Sequence, residues 1–281
     1  MQYYIGCVGW GYPTWEGAFY PSDTENFRWL NYYSHVFDYV EIDSSFYGTP
    51  SLPMVKNWAA KTPKNFKFTA KFPKVITHDK RIREEDDELE RFFDVMGPLK
   101  RKILALLIQL PPSIQIYVGL ELLRKLVPRL DPSFRYAIEV RHPSWFQDLS
   151  YSFFDNHELC LVWNQLTDFQ TPPVVTTDFV YVRFIGDRSI QEGDFGEIQI
   201  DQVAEMQKWA ESVKNLQEDG RVKHAIIAAN NNYTGFGPGT ANLFRNMLGL
   251  ADAKWEDKEE KPARELKQRT LPEFLGQTST P

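Results

Sequence analysis

Cysteine is nearly absent. The 281 residues hold two, Cys7 and Cys160, which excludes a disulfide framework and any paired-cysteine metal site. Both sit in apolar runs, as reduced buried thiols do, and strands one and six of a barrel are not neighbours, so no bond between them is expected. No HExxH motif occurs, and an uninterrupted apolar run of about 18 residues, the length that crosses a membrane, is missing as well. The N-terminus, MQYYIGCVGW, enters a strand-like run at once, without the basic head and small-residue cleavage site of a secretory signal; the cytoplasm is the expected location. Positive charge is not in excess: 32 Lys and Arg face 38 Asp and Glu, a net charge of −6, so no overall basic field attracts nucleic acid. Solenoid repeats, a low-complexity linker and a glycine-rich dinucleotide fingerprint after the first strand are also lacking.

What is present is core material, with 42% hydrophobic and 15% aromatic residues. Eight strand-like runs recur: YYIGCVGW, DYVEIDSSF, FKFTAKF, ILALLIQL, YAIEVRH, LCLVWN, FVYVRFIG and HAIIAANN. Most are followed by a segment with room for a helix. Strands alternating with helices imply parallel βα units, and eight imply a closed ring. The expectation is an α/β fold, a TIM-type (β/α)8 barrel forming one domain over residues 1–250. An open doubly wound sheet is the alternative. The acidic run REEDDELERFF, residues 83–93, carries an apolar stripe at helical spacing and reads as a solvated helix start. Residues 251–281, charged and then polar, read as a charged C-terminal appendage.

Side chains alternate along a strand. In RYAIEVRHPSW, Ile138 and Val140 share one face, and Ala137, Glu139 and Arg141 the other. The pattern repeats with Glu41 and Asp43 against Val40 and Ile42, Thr69 and Lys71 against Phe68 and Ala70, and Tyr181 and Arg183 against Val182 and Phe184. Gln109 and Asn230 end two further strands. In such barrels the inward face fills the interior and active sites occupy the C-terminal rim. Acids and bases therefore converge there, and burying them requires pairing. Two readings follow: a site, or an ion-pair lattice that plugs the barrel mouth.

The stretches GCVGWGYPTWEGAFYP, VEIDSSFYGTPS, FKFTAKFPKVITH, LLIQLPPS, AIEVRHPSWF and FVYVRFIG resemble, in order, the successive motifs of the YecE-like family, also called domain of unknown function 72. The resemblance covers most of residues 3–248. It implies a TIM-type barrel of generally unassigned function, with Glu41, Lys71, Thr77, His78, Gln109, Glu139, Arg141, His142 and Arg183 at motif positions. It also implies departures: the family usually carries Asn at position 43 and His at position 185, where this chain has Asp43 and Ile185, so an essential histidine at 185 is not expected.

A second motif is the loop NNNYTGFGPGTANLF. Gly235, Gly237 and Gly239 let backbone N–H groups turn inward, and a helix beginning near Thr240 or Ala241 would point its positive end at the same place. With Gly186 and Arg183 from the neighbouring strand, this predicts an anion site; a tight glycine turn is the bland alternative. The first loops carry Trp10, Tyr12, Trp15, Phe19, Tyr20, Phe46 and Tyr47, as stacking surfaces for a sugar or base, or as loop anchors.

The leading functional expectation is an enzyme acting by acid–base chemistry on a small polar, anionic substrate. Glu139 and Glu41 are the acid and base, since carboxylates in unlike surroundings hold unlike pKa values. His78 shuttles protons, Lys71, Arg141 and Arg183 orient the anion, and Gln109 and Asn230 bind its neutral part. His142, Trp10 and Tyr47 are further substrate-binding candidates. No cofactor is indicated. Glu41, Glu139, His78 and His142 could gather round an ion, but the adjacent cations would repel it, so no metal is expected. The alternative is a non-catalytic binder of a nucleotide or single-stranded nucleic acid, which the acidic net charge disfavours.

Overall fold

The chain is described by a computed structural model covering residues 1–80, 82, 86–218 and 220–255. All eight expected runs are strands: β1 (Gln2–Val8), β2 (Tyr39–Ile42), β3 (Lys67–Lys71), β4 (Ile103–Gln109), β5 (Tyr136–Glu139), β6 (Leu159–Leu161), β7 (Trp163–Gln165), β8 (Phe179–Phe184) and β9 (His224–Ala229). The ninth arises because the run LCLVWN is broken at Val162 into β6 and β7. Every pairing is parallel, and the order is β6-β5-β4-β3-β2-β1-β9-β8-β7. The two ends of the sheet are thus halves of one segment, and the sheet comes round on itself as a barrel. At the break, Val162 N–H donates to Ile138 O at 3.0 Å and the Asn164 amide to Val140 O at 3.2 Å, so the segment holds β5 while β7 pairs with β8.

Helices cover the outside: α1 (Trp29–Val36), α2 (Leu52–Lys61), α3 (Asp86–Met96), α4 (Ile116–Leu126), α5 (Asp148–Asn156), α6 (Val203–Asn215), the short α7 (Asn231–Thr234) and α8 (Gly237–Met247). In α4, Ile116, Leu120 and Leu123 recur at helical spacing and are buried, because that stripe faces the strands. Asp86 onward of the acidic run forms α3, while residues 83–85 lie outside the described residues. Ile138, Val140, Val182 and Phe184 belong to the shell between strands and helices. Tyr39, Leu107, Ala137, Cys160, Val162 and Tyr181 fill the interior. The alternation read from the sequence therefore has the expected hand. No helix among the described residues is long and apolar enough to cross a membrane.

Packing continues past residue 250. Ala253 is buried, and Trp255 donates its indole N–H to Ala18 O at 3.0 Å and accepts from the Tyr32 hydroxyl. The remainder of the charged segment, 256–281, lies outside the described residues.

Cys7 and Cys160 are unbonded and buried. β1 pairs with β2 and β9, and β6 with β5, so the two thiols lie on strands that do not touch. Burial pushes the Cys7 thiol up to about 12 and raises that of Cys160 also. A thiolate-dependent reagent is therefore expected to leave the native chain unlabelled and to count two thiols after unfolding. Rapid native labelling, or fewer than two thiols in denaturant, would contradict this.

Candidate functional site

The rim is built on one guanidinium. Arg183, at the C-terminal end of β8, is 2% exposed. It donates through Nε and Nη2 to the two oxygens of Glu41, at 2.9 and 2.6 Å, and through Nη1 to Glu139. Arg141 grips the other oxygen of Glu139 with Nε and Nη2. Below Glu41 lies a ring of hydroxyls. Tyr181 donates to the carboxylate, and Tyr181, Tyr39 and Thr69 hydrogen-bond one another at 2.7–3.0 Å. Burial, reinforced by the Glu41 charge, holds the Tyr181 phenol well above its ordinary range, so it stays a donor.

Glu41 and Glu139 are both fully buried. Burial alone would raise the Glu139 pKa, but Arg141, Arg183 and Lys71 outweigh it and push it down to about 2. A carboxylate held ionised so firmly neither gives nor takes a proton near neutrality. Glu139 and Glu41, the expected acid and base, are both engaged by cations and do not line the open space.

That open space is a cavity of about 880 Å³ at the strand C-termini. On the strand side its charged wall is Lys71, Arg141 and the edge of Arg183, with Asp43 beside Lys71 and the amides of Gln109, Asn230 and Asn232; Asp187, Arg188 and Glu192 add charge from the loop after β8. Lys71 Nζ lies 3.0 Å from Asp43 Oδ1 and 4.1 Å from the centre of the Phe46 ring. Ser45 fixes this pair by donating to Lys71 O at 2.7 Å, which ties the turn after β2 to the end of β3. Much of the remaining wall comes from the loop after β8, including Gly186, Arg188, Ile190, Glu192 and Phe195.

The other candidates separate clearly. His78 follows β3 in a single π-helical turn, Val75–Asp79, with Nδ1 2.8 Å from the Thr77 hydroxyl and its ring edge-on to Phe46. Burial, then the charges of Lys71 and Arg141, lower its pKa, so the ring is neutral at pH 7. It stands behind the cavity wall. His142 turns away: its Nδ1 accepts from Ser144 N–H at 3.1 Å and caps a turn. Trp10 packs edge-on against Trp58, and Trp15, Phe19 and Tyr20 are buried anchors. Only Tyr12, Phe46 and Tyr47 of these aromatics face the cavity, with Tyr47 68% exposed at its lip.

The glycine loop is not an open nest. α8 starts at Gly237, earlier than expected, so Gly237 and Gly239 lie in its first turn. Gly237 N–H donates to Asn231 Oδ1 at 2.8 Å and Gly235 N–H to Asn231 O at 2.6 Å. A side chain at Gly235 would strike Glu197 O, one at Gly239 would meet Phe236 and Ile198, and one at Gly186 would strike Asn232 O. The glycines serve close backbone packing, and three of the five N–H bonds of Arg183 are engaged by the two carboxylates. Among the described residues no three His, Cys, Asp or Glu side chains gather as metal ligands.

Asp43, Asn232 and the loop after β8 beyond Gly186 carry no role in the sequence reading. Alternation does place Asp43 inward, one step beyond Glu41; nothing comparable marks Asn232.

Removing Arg183 leaves two buried carboxylates without their shared cation, so Arg183→Met is expected to cost about 3–5 kcal/mol in denaturant unfolding. A loss under ~1 kcal/mol would refute the lattice. For Glu139, a lowered folded pKa means stability present above the ordinary value of 4.5 and lost as pH falls toward about 2. The stability gap between wild type and Glu139→Gln should shrink across that window; a gap independent of pH would contradict the pairing.

The description "Protein of unknown function DUF72" matches residues 4–266. Protein YecE of Escherichia coli (strain K12) is 32% identical over 143 residues, 51% of this chain and 50% of that protein. Protein YunF of Bacillus subtilis (strain 168) is 32% identical over 115 residues, 39% of this chain and 40% of that one. The matches thus span half or less of these curated relatives. A DUF72 family protein from Thermotoga maritima superposes with a TM-score of 0.76 at 30% identity, covering 89% of this chain and 100% of that one. One from Enterococcus faecalis gives 0.73 at 20% identity, over 92% and 100%. With its motifs, its barrel and a match over nearly its whole length in agreement, the chain belongs to the DUF72 family.

Proposed function

We propose that the chain is an enzyme that binds a small polar, anionic substrate in the rim cavity and acts on it by acid–base chemistry. The observation that carries this reading is the cavity wall itself: Arg141 and Lys71 open on one space, with Gln109 and Asn230 beside them. Proton transfer falls to Asp43 and Lys71, the lining carboxylate and amine that already share a proton contact at 3.0 Å. General acid–base catalysis needs such groups within hydrogen-bond reach of the substrate, and the buried glutamates are not. Neutral His78 supports the pair from behind, as a relay toward solvent. Glu41 and Glu139 hold the cations in place.

A panel of carboxylated and phosphorylated sugars, hydroxy acids and nucleotides, followed by NMR in deuterated buffer, tests the reading. At least one compound should be turned over or exchange a proton with solvent. Asp43→Asn and Lys71→Met should each lower that rate by about 10²–10⁴, the usual contribution of a positioned acid or base. Undiminished rates in both variants would remove the assignment.

A further inference from the structure

We infer that the ligand of this cavity is a sugar acid, an aldonate or uronate bearing one carboxylate, and not a phosphate ester. The inference rests on the anion-binding reading above and narrows it. Three cations, Lys71, Arg141 and Arg183, meet three carboxylates, Asp43, Glu41 and Glu139, in direct ion pairs. The cluster is neutral before any ligand arrives. A phosphate monoester carries about −1.5 to −2 charges at neutral pH and calls for surplus cations or a nest of free backbone N–H groups. The one further lining cation, Arg188, stands with Asp187 and Glu192 on the loop after β8, so the lining gains no surplus of positive charge; Arg183 is engaged by both glutamates, and the N–H groups of Gly235 and Gly237 are donated within their own loop.

What remains free matches a single carboxylate. Arg141 directs Nε and one side of Nη2 to Glu139, leaving its outer edge on the cavity, where two parallel N–H groups meet a carboxylate well. Lys71 has N–H bonds beyond the one to Asp43. Around them stand groups suited to hydroxyls. The Gln109 amide faces the cavity and makes no hydrogen bond among those of the described side chains. Asn230 Oδ1 is occupied by Asn232, at 3.0 and 3.1 Å, which leaves its Nδ2 as donor. Asp43 retains an accepting oxygen. Tyr12, with its hydroxyl tied to Val8 O at 2.8 Å, and Tyr47 at the lip line the same space with aromatic rings, the kind of surface that packs on sugar C–H groups.

Calorimetry of the full chain with D-galacturonate, D-gluconate, D-galactose and D-glucose 6-phosphate decides the matter. Galacturonate or gluconate should bind about tenfold or more tighter than galactose and glucose 6-phosphate, the scale of one hydrogen bond to a charged group. Arg141→Gln should abolish that preference; because it also releases Glu139, Gln109→Leu serves as the second variant, lowering sugar-acid affinity without touching an ion pair. Tighter binding of glucose 6-phosphate would overturn the inference and leave the anion reading standing. Equal binding of galactose and galacturonate, no effect of either variant on sugar-acid binding, or no binding by any of the four would overturn it, and the wider panel of hydroxy acids and nucleotides then tests the anion reading by itself.

Discussion

The sharing of one buried guanidinium between two buried carboxylates is the constraint on which the rim depends. Arg183 belongs to β8, Glu41 to β2 and Glu139 to β5, so a single side chain ties three strands spread round the barrel. Neither carboxylate could be buried alone, since an ionised group in a low-dielectric interior must be paired or neutralised. The hydroxyl ring of Tyr39, Thr69 and Tyr181 completes the arrangement beneath Glu41, using its remaining hydrogen-bonding capacity.

The cavity inherits its character from that lattice. Because Arg141 is anchored through one edge to Glu139, its other edge is fixed in direction without help from a ligand. Lys71 is fixed likewise, by Asp43 on one side and the Phe46 ring on another. Such preorganisation lets charged donors act on a ligand without first being ordered by it. The glutamates thus contribute through the cations they hold.

The barrel was legible because period-2 alternation and a strand-helix rhythm are local properties of the chain. Glu139 against Ile138 could be assigned a face from sequence alone, and the interior and shell residues bear that out. Pairing partners were not legible: that Arg183 meets Glu41 rather than a ligand depends on β2 and β8 facing each other across the interior. The surroundings of the glycine loop were illegible for a related reason. Gly235 and Gly239 are packed closely by the segment at Glu197 and Ile198, which is remote from them in sequence. His142 has the composition of a site residue, yet its neighbour Ser144 captures it locally. The break at Val162 had no sequence signal, since β6 and β7 read as one apolar run.

The loop after β8 hangs between two rigid roots. At one, Gly186 sits with φ of 69° against Asn232 O; at the other, Gly196 N–H is bonded to Gly235 O and Gln199 N–H to Thr234 O. Between the roots the loop supplies wall to the cavity but no support to the ion-pair floor. Phe195, near the second root, is buried edge-on against Tyr12, whereas residues 187–189 and 191–194 are exposed and are the positions where substitution disturbs the barrel least. That exposed stretch is thus where the wall of the cavity can change with least cost to the strands beneath it.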